Sequence, residues 1–294
     1  KKLGTLTNSY NLKRQQLETQ ADSIEVLVLG SSESLHGINP SYFSFKGYNA
    51  ANMAQSLFYD ENILVNHINK MPRLKYVVIA VSYFSLGYQI IDTREKWRDY
   101  FYAQCWGIKY PEIKSSDPFT YSKILLYTPK MSLVYAAMLF RVNIAKDYSS
   151  NGWANMTYPS EINDQNARIT VERHNAAFNP KRFEGVKKEL DTILSVLKKR
   201  NITPILYTPP VTSSYYKFTD KGKLDTIQIT LSELCAKYEC TYYNYFTDKQ
   251  FTNSDFGDCD HLNSKGAEKL SKLINDDILL EAKKQQGLVL NKRN

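Results

Sequence analysis

The sequence predicts an α/β protein, a three-layer α/β/α sandwich with a mostly parallel sheet. Short β-branched runs alternate with stretches in which apolar residues recur every three or four positions. Runs without polar alternation are typical of strands buried on both faces, and strands that alternate with helices form parallel sheets covered by helices. The 294 residues, 43% apolar and 23% charged, are enough for one such domain.

Five runs predict the strands of this sheet. They span residues 24–29, 48–50, 76–81, 202–207 and 241–245. The first ends at Gly30, and the run 202–207 is closed by Thr208-Pro209-Pro210, because proline cannot donate to a sheet ladder. Open α/β sheets bind ligands at the carboxyl ends of their strands. Polar residues that directly follow a strand are therefore the first candidates for a site.

The clearest helix is predicted between Phe183 and Leu197, with Pro180 and Asn201 as start and stop signals. Weaker patterns occupy 55–70 and 224–239, and the last helix follows an Asn263-Ser264 cap. The apolar run Leu133 to Phe140 predicts one further buried helix. At eight residues this run, the longest of its kind, is far below the roughly 20 that cross a bilayer.

A large insertion is predicted over about 88–180, after the third strand of the sheet. About 100 residues separate Val81 from the helix near Lys181, whereas a crossover needs roughly 10 to 20. This segment contains all three tryptophans and many Tyr and Phe residues. Such side chains stack on sugar faces, and they equally fill irregular cores. Both interpretations of the insertion stay open on the sequence alone.

The net charge of +8 is concentrated at the ends of the chain. Residues 1–20 and 281–294 each carry four basic residues against one acidic residue, which leaves the body nearly balanced. No basic stripe with interleaved aromatics is present, so the sequence argues against nucleic acid as a partner. The basic ends suit a membrane surface or an anionic wall polymer.

Four cysteines are too few for a disulfide scaffold, and no Cys-x-x-Cys pair or Cys/His cluster has zinc spacing. The sequence therefore predicts neither a metal site nor a cofactor. Cys235 and Cys240 flank a predicted helix end. They either pair in an oxidising compartment or remain free thiols.

Ser32 is the candidate nucleophile. It stands in Gly30-Ser31-Ser32-Glu33-Ser34, directly after the first strand. A serine at a strand-to-helix turn presents its hydroxyl above the sheet edge, beside amides that can hold an oxyanion. The same pattern also occurs as a simple cap and turn.

His261 is the candidate base. It follows Asp258 by three residues in a polar loop before the last helix, at the same end of the sheet as Ser32. An Asp so placed can bend back to the imidazole and fix its tautomer. The alternative is that Asp258 and Asp260 only cap the helix. Of the other histidines, His36 is predicted to be a pocket wall or surface group. His67 and His174 are predicted to be structural or exposed.

Taken together, these two segments resemble the SGNH/GDSL hydrolase family. Gly30-Ser31-Ser32 is similar to the family's Gly-Asp-Ser block, and Asp258 with His261 to its terminal Asp-x-x-His block. The Gly-Ser-Ser form followed by Gly37-Ile38-Asn39-Pro40 is most similar to an exported subgroup that includes the D-alanyl transfer protein of teichoic acid modification. The resemblance covers residues 24–81 and 181–280.

The resemblance implies a flavodoxin-like sheet and Ser-His-Asp catalysis, with an oxyanion hole formed by the amides of Ser32 and Ala54. Ala54 stands where the family has a glycine. The family's third block supplies an Asn, but Val81-Ser82-Tyr83 contains none, and Ser82 or the Tyr83 hydroxyl would have to replace it. One missing donor typically costs about 10²–10³ in rate.

The function implied is a serine ester hydrolase or acyltransferase that acts on a small ester, an acylated carbohydrate or an acylated envelope polymer. The alternative is a catalytically inactive SGNH-fold binding or scaffold protein of the cell envelope. A flavodoxin-like nucleotide binder is disfavoured because Gly30-Ser31-Ser32 lacks the glycine spacing of a phosphate loop.

The predicted organisation is an N-terminal linker over 1–20, a single domain over 21–285 and a basic tail over 286–294. Because the chain starts at Lys1 without an initiator Met, the linker is expected to follow a removed anchor or signal. With the subgroup resemblance, this predicts an extracytoplasmic protein of the cell envelope, tethered to the membrane through its N-terminus.

Overall fold

The computed structural model describes residues 8–121 and 148–285. Five strands form one sheet in the order β2-β1-β3-β4-β5, and every neighbouring pair is parallel. The predicted α/β/α sandwich is therefore confirmed. The strands are β1 (Val26–Leu29), β2 (Gly47–Asn49), β3 (Tyr76–Ala80), β4 (Thr203–Thr208) and β5 (Thr241–Asn244).

Helices cover both faces of this sheet. Within the described residues they are α1 (Ser9–Gln20), α2 (Ser32–Gly37), α3 (Leu57–His67), α4 (Trp97–Trp106), α5 (Asp164–Ala177), α6 (Phe183–Lys199), α7 (Ser213–Phe218), α8 (Lys221–Tyr238) and α9 (Ser264–Gln285). Alternate strand residues point to opposite faces. Leu27, Val77 and their neighbours pack against α3, α6 and α8. Val28 and Val78 pack against α9 on the other face.

The sequence pattern explains the best-formed helix. Along α6 the residues that recur at spacings of three and four are all buried: Val186, Leu190, Ile193, Leu194 and Leu197. Polar residues of the opposite face, such as Glu184, Lys188 and Lys198, are exposed, which is the amphipathic arrangement of a helix that covers a sheet. This helix ends before β4, the strand that lies between β3 and β5.

The N-terminal boundary differs from the prediction. Residues 9–20 are not a linker but helix α1, capped by the Asn8 side chain. Leu17 is fully buried, and the buried Lys13 ammonium donates to the carbonyls of Asn49 (2.8 Å) and Gly152 (2.7 Å). The domain thus begins before residue 21. The predicted helix Leu133 to Phe140 and the basic tail 286–294 lie outside the described residues.

Several aromatic side chains from the start of the insertion belong to the core. Phe101, Tyr102, Trp106 and Tyr110 are buried, and the rings of Tyr59 and Tyr102 stack with centroids 3.7 Å apart. This supports the core interpretation for the N-terminal half of the insertion.

In the described part of the chain, no helix combines the length and apolarity needed to cross a membrane.

Cys235 and Cys240 are free thiols, with their sulfur atoms 2.9 Å apart at the end of α8.

We expect Leu194→Ala to lower the free energy of unfolding by about 2–5 kcal/mol, because it removes a buried side chain between α6 and the sheet. Ile229→Ala, on the exposed face of α8, is the matched control and should change stability by about 0.5 kcal/mol or less. Urea denaturation measures both. Equal losses in the two variants would contradict this packing.

Candidate active site

The turn after β1 has a backbone that only glycine accommodates well. Gly30 has φ of +129°, and a Cβ there would lie 2.7 Å from Ser34 Oγ and 2.9 Å from Ala80 Cβ. Its amide donates to the buried carboxylate of Asp60 at 2.9 Å. This tight turn starts α2 at Ser32, so that the Ser32 side chain stands at the carboxyl end of strand β1, which lies between β2 and β3.

A second loop, between β5 and α9, carries the histidine. A bridge between Phe256 and Leu262 closes this loop. Inside it, Asp258 Oδ1 accepts the backbone amides of Asp260 (3.0 Å) and His261 (2.7 Å). The carboxylate that faces the imidazole is therefore fixed by the local turn.

The two loops meet at hydrogen-bond distance. Ser32 Oγ lies 2.8 Å from His261 Nε2, and His261 Nδ1 lies 2.9 Å from Asp258 Oδ2 and 3.1 Å from Oδ1. With its Nδ1 proton donated to Asp258, His261 presents an unprotonated Nε2 that accepts from the serine hydroxyl. The structure thus brings together the three residues that the sequence predicted as nucleophile, base and orienting acid.

Electrostatics favour the charged form of His261. Burial alone would lower its pKa, but the carboxylates of Asp260 and Asp258 outweigh burial and raise the pKa above the ordinary histidine value. For Asp258, burial raises the pKa, but hydrogen bonds from His261 and from two amides hold it below the ordinary value. An imidazolium formed at His261 would be stabilised by this environment.

The turn that contains Ala54 lies against the serine turn, because the Asn52 amide donates to the Gly30 carbonyl at 3.3 Å. Ala54 has φ of +55°, the left-handed conformation that favours glycine. Among the described residues, neither the Ala54 amide nor the Ser32 amide has a hydrogen-bond partner. Both predicted oxyanion-hole amides are therefore free to donate to a ligand.

The Tyr83 hydroxyl, predicted as the third oxyanion donor, is engaged elsewhere. It donates its hydrogen to Asn175 Oδ1 at 2.8 Å and accepts the Asp220 amide at 2.9 Å. This arrangement leaves no hydrogen for an oxyanion, so the geometry speaks against that role. Ser82 differs, because its buried hydroxyl has no partner among the described residues.

A small, partly open cleft lies next to the serine turn. Glu33, which the sequence analysis did not single out, forms part of its wall and is buried. Its carboxylate accepts from the Ser31 hydroxyl and lies 3.4 Å from Ser32 Oγ. The other lining residues are Ser82, Tyr83, Pro209, Val211, Tyr215 and Phe246.

The three remaining histidines differ in their distance from the site. The ring of His36 makes an edge-on contact with His261, with centroids 5.7 Å apart. His67 is buried in α3, with Nδ1 2.9 Å from the Ile63 carbonyl, as a structural residue would be. His174, predicted to be structural or exposed, is buried, and its Nε2 lies 3.7 Å from Asp260 Oδ2. Its position on α5 gave no sequence signal for this proximity.

Asp258, Asp260 and His261 place one donor atom each within 4.8 Å, close enough for a metal ion. Two of its three side chains are already committed, however. His261 Nδ1 faces Asp258 Oδ2, and Asp258 Oδ1 accepts two amides. Because Nδ1 cannot donate a proton to Asp258 and bind a metal at once, we interpret the cluster as a hydrogen-bonded group and not as a metal site.

Comparisons with known proteins give few leads. No family model matches the chain, and no curated protein matches it. Among solved structures, a candidate acylhydrolase from Bacteroides fragilis has 11% identity and a TM-score of 0.46, over 94% of this chain and 99% of that one. A protein from Streptococcus pneumoniae, described as a candidate platelet activating factor, has 10% identity and a TM-score of 0.46, over 91% of each chain. Likeness at this level carries no information about substrate or chemistry.

We expect Ala54→Gly to raise the free energy of unfolding by about 0.5–1 kcal/mol, because glycine relieves the left-handed strain at this position. Glu239→Gly, at the left-handed end of α8, is the matched control and should give a similar gain. Thermal and urea denaturation measure both variants. A loss of stability in Ala54→Gly alone would contradict the backbone conformation described for this turn.

Proposed function

We propose that this protein is a serine ester hydrolase or acyltransferase in which Ser32 is the nucleophile, His261 the general base and Asp258 the residue that orients His261. The observation that carries the proposal is the continuous hydrogen-bonded line from Ser32 Oγ through His261 to Asp258, at 2.8 and 2.9 Å. Such a line activates a hydroxyl that is otherwise a weak nucleophile.

In the first half-reaction, Ser32 Oγ attacks the ester carbonyl carbon while its proton passes to His261 Nε2. Asp258 stabilises the resulting imidazolium. When the tetrahedral intermediate collapses, the bond to the alcohol breaks and His261 returns the proton to the leaving oxygen. An acyl group then remains on Ser32.

In the second half-reaction, a hydroxyl attacks the acyl-serine and gives its proton to His261, and Ser32 regains a proton as it leaves. Water as the attacking group gives hydrolysis, and a sugar hydroxyl gives acyl transfer. Nothing in the triad distinguishes the two, because the same proton steps serve both.

The unpartnered amides of Ser32 and Ala54 are the proposed oxyanion donors. Backbone donors that are already in place stabilise developing negative charge without reorganisation. The hydroxyl of Ser82 is the proposed replacement for the family's Asn, since it has a hydrogen to donate and lines the adjacent cleft.

The proposed substrate class is an acylated glycan or polymer of the cell envelope, with the protein outside the cytoplasm and tethered to the membrane. Its support is the resemblance of the Gly30-Ser31-Ser32 segment to the exported subgroup, together with a net charge of +8 that suits an anionic polymer. A non-catalytic binding protein of the envelope is the second candidate. The engaged Tyr83 hydroxyl favours it, since one expected oxyanion donor is lost.

We expect Ser32→Ala to reduce hydrolysis of p-nitrophenyl acetate by roughly 10³-fold or more, to the uncatalysed background. The loss follows from removal of the only hydroxyl that faces His261 Nε2 among the described residues. Ser213→Ala, an exposed serine at the start of α7, is the control and should retain the full rate. Rates of a folded wild-type protein that equal those of Ser32→Ala would favour the non-catalytic candidate.

The pH dependence of kcat/KM should report His261. As a general base, His261 acts only when unprotonated, so the rate should rise with pH through its pKa. Because Asp260 and Asp258 raise that pKa, the midpoint should lie above the ordinary histidine value of about 6.5. A profile with its midpoint below that value would contradict the electrostatics of the site.

A further inference from the structure

A second carboxylate, Asp260, lies behind His261 in addition to Asp258. Its Oδ1 lies 3.5 Å from His261 Nδ1, the same ring nitrogen that Asp258 contacts. Asp260 is only 3% exposed, and its Oδ2 has no hydrogen-bond partner among the described residues. Burial raises the pKa of Asp260 towards neutrality, the opposite direction to Asp258. A buried carboxylate oxygen without a hydrogen-bond partner is costly, so the place of Asp260 beside His261 needs a reason.

The insertion supplies His174, which lies on the far side of Asp260. His174 Nε2, from α5, lies 3.7 Å from Asp260 Oδ2. A hydrogen bond of 2.7 Å joins His174 Nδ1 to the hydroxyl of the buried Tyr215 in α7, and Phe84 packs on the His174 ring with centroids 4.3 Å apart. Burial lowers the pKa of His174 well below its ordinary value, so its ring is neutral. When Nδ1 accepts from Tyr215, the single ring proton of His174 is on Nε2 and faces Asp260.

The two carboxylates differ in how they are held. Asp258 is fixed by two amides of its own turn. Among the described residues, only the ring of His174 lies within ion-pair distance of Asp260 Oδ2, and Tyr215 orients that ring from its other nitrogen. During acylation His261 becomes an imidazolium, and a second negative group near Nδ1 stabilises that charge most where water is excluded.

We propose that Asp260 is a second positioning residue for His261, and that His174 and Tyr215 hold Asp260 in place. The inference rests on the proposed function, in which His261 is the base. It gives the aromatic insertion a direct part in catalysis, because His174 on α5 would connect the insertion to the proton transfer at Ser32. The cleft would also be connected to this proton transfer, since Tyr215 lines the cleft.

Other charged and titratable groups surround this network and must be held constant in a test. Three groups face His261: Glu33 and His36 from α2, and Asp258 from its own loop. Two groups face Asp260 and His174: Arg173 from α5 and Lys223 from α8. None of these is altered in the variants below, so their contributions cancel in the comparison.

The test is an NMR titration of the His261 ring in full-length wild type and in Asp260→Asn, which keeps the shape of the side chain and removes its charge. The His261 pKa should fall by about 1–3 pH units in the variant, because an opposite charge within about 4–6 Å is lost. Asp99→Asn is the matched control, since Asp99 is also buried, also has an unpartnered Oδ2, and belongs to α4. It should leave the His261 titration unchanged.

His174→Phe is the second variant and keeps an aromatic ring against Phe84. The variant lacks the Nε2 proton that faces Asp260, so it should favour protonation of Asp260. The His261 pKa should therefore fall, but by less than in Asp260→Asn. Added to Asp260→Asn, it should have no further effect. His67→Phe, a buried histidine that bonds within its own helix, is the control. If Asp260→Asn folds poorly, the His174→Phe result decides by itself.

Two results would overturn the inference. The first is a His261 pKa that is unchanged in both Asp260→Asn and His174→Phe. The second is a fall of the same size in the His261 pKa of the controls, Asp99→Asn and His67→Phe. The readout does not depend on turnover. If wild type hydrolyses no ester and resists serine-directed probes, the proposed function fails while the NMR result still decides the role of Asp260. In an active enzyme, Asp260→Asn should also lower kcat and leave KM unchanged.

Discussion

The hydrogen bond between Ser32 and His261 is the interaction on which the account of this site depends. It joins the turn after the first strand to the loop before the last helix, residues separated by nearly the whole domain. Parallel strands make that meeting possible, because their carboxyl ends share one edge of the sheet. Gly30 allows the serine turn, and the Asp258 turn fixes the imidazole, so each partner is placed by its own local structure.

The insertion serves two purposes in this fold. Near its start, aromatic residues such as Tyr102 and Trp106 build the core around α1 and α3. Near its end, α5 brings His174 to within 3.7 Å of Asp260, in the loop that carries His261. The insertion thus contacts both helix α1 and the candidate site, which makes these parts of it integral to the domain.

The sequence predicts features that depend on neighbouring residues, and it does not predict contacts between distant segments. The strands and α6 were predictable because buried runs and amphipathic spacing are visible in consecutive residues. Helix α1 is hard to predict, because its buried positions include a charged residue, Lys13, which interrupts the apolar spacing of the helix. The Ser32, Asp258 and His261 arrangement followed from motif resemblance. The engagement of the Tyr83 hydroxyl and the approach of His174 to Asp260 depend on distant contacts, for which one sequence has no signal.

The central claim is that Ser32 is an activated nucleophile, and covalent labelling tests it most directly. The folded protein would be treated with a fluorophosphonate, and the modified residue located by peptide mass spectrometry. Because only a serine whose proton can pass to a base reacts readily, we predict one adduct, on Ser32, that disappears in His261→Ala. An unlabelled protein, or label spread over exposed serines and unaffected by His261→Ala, would contradict the account.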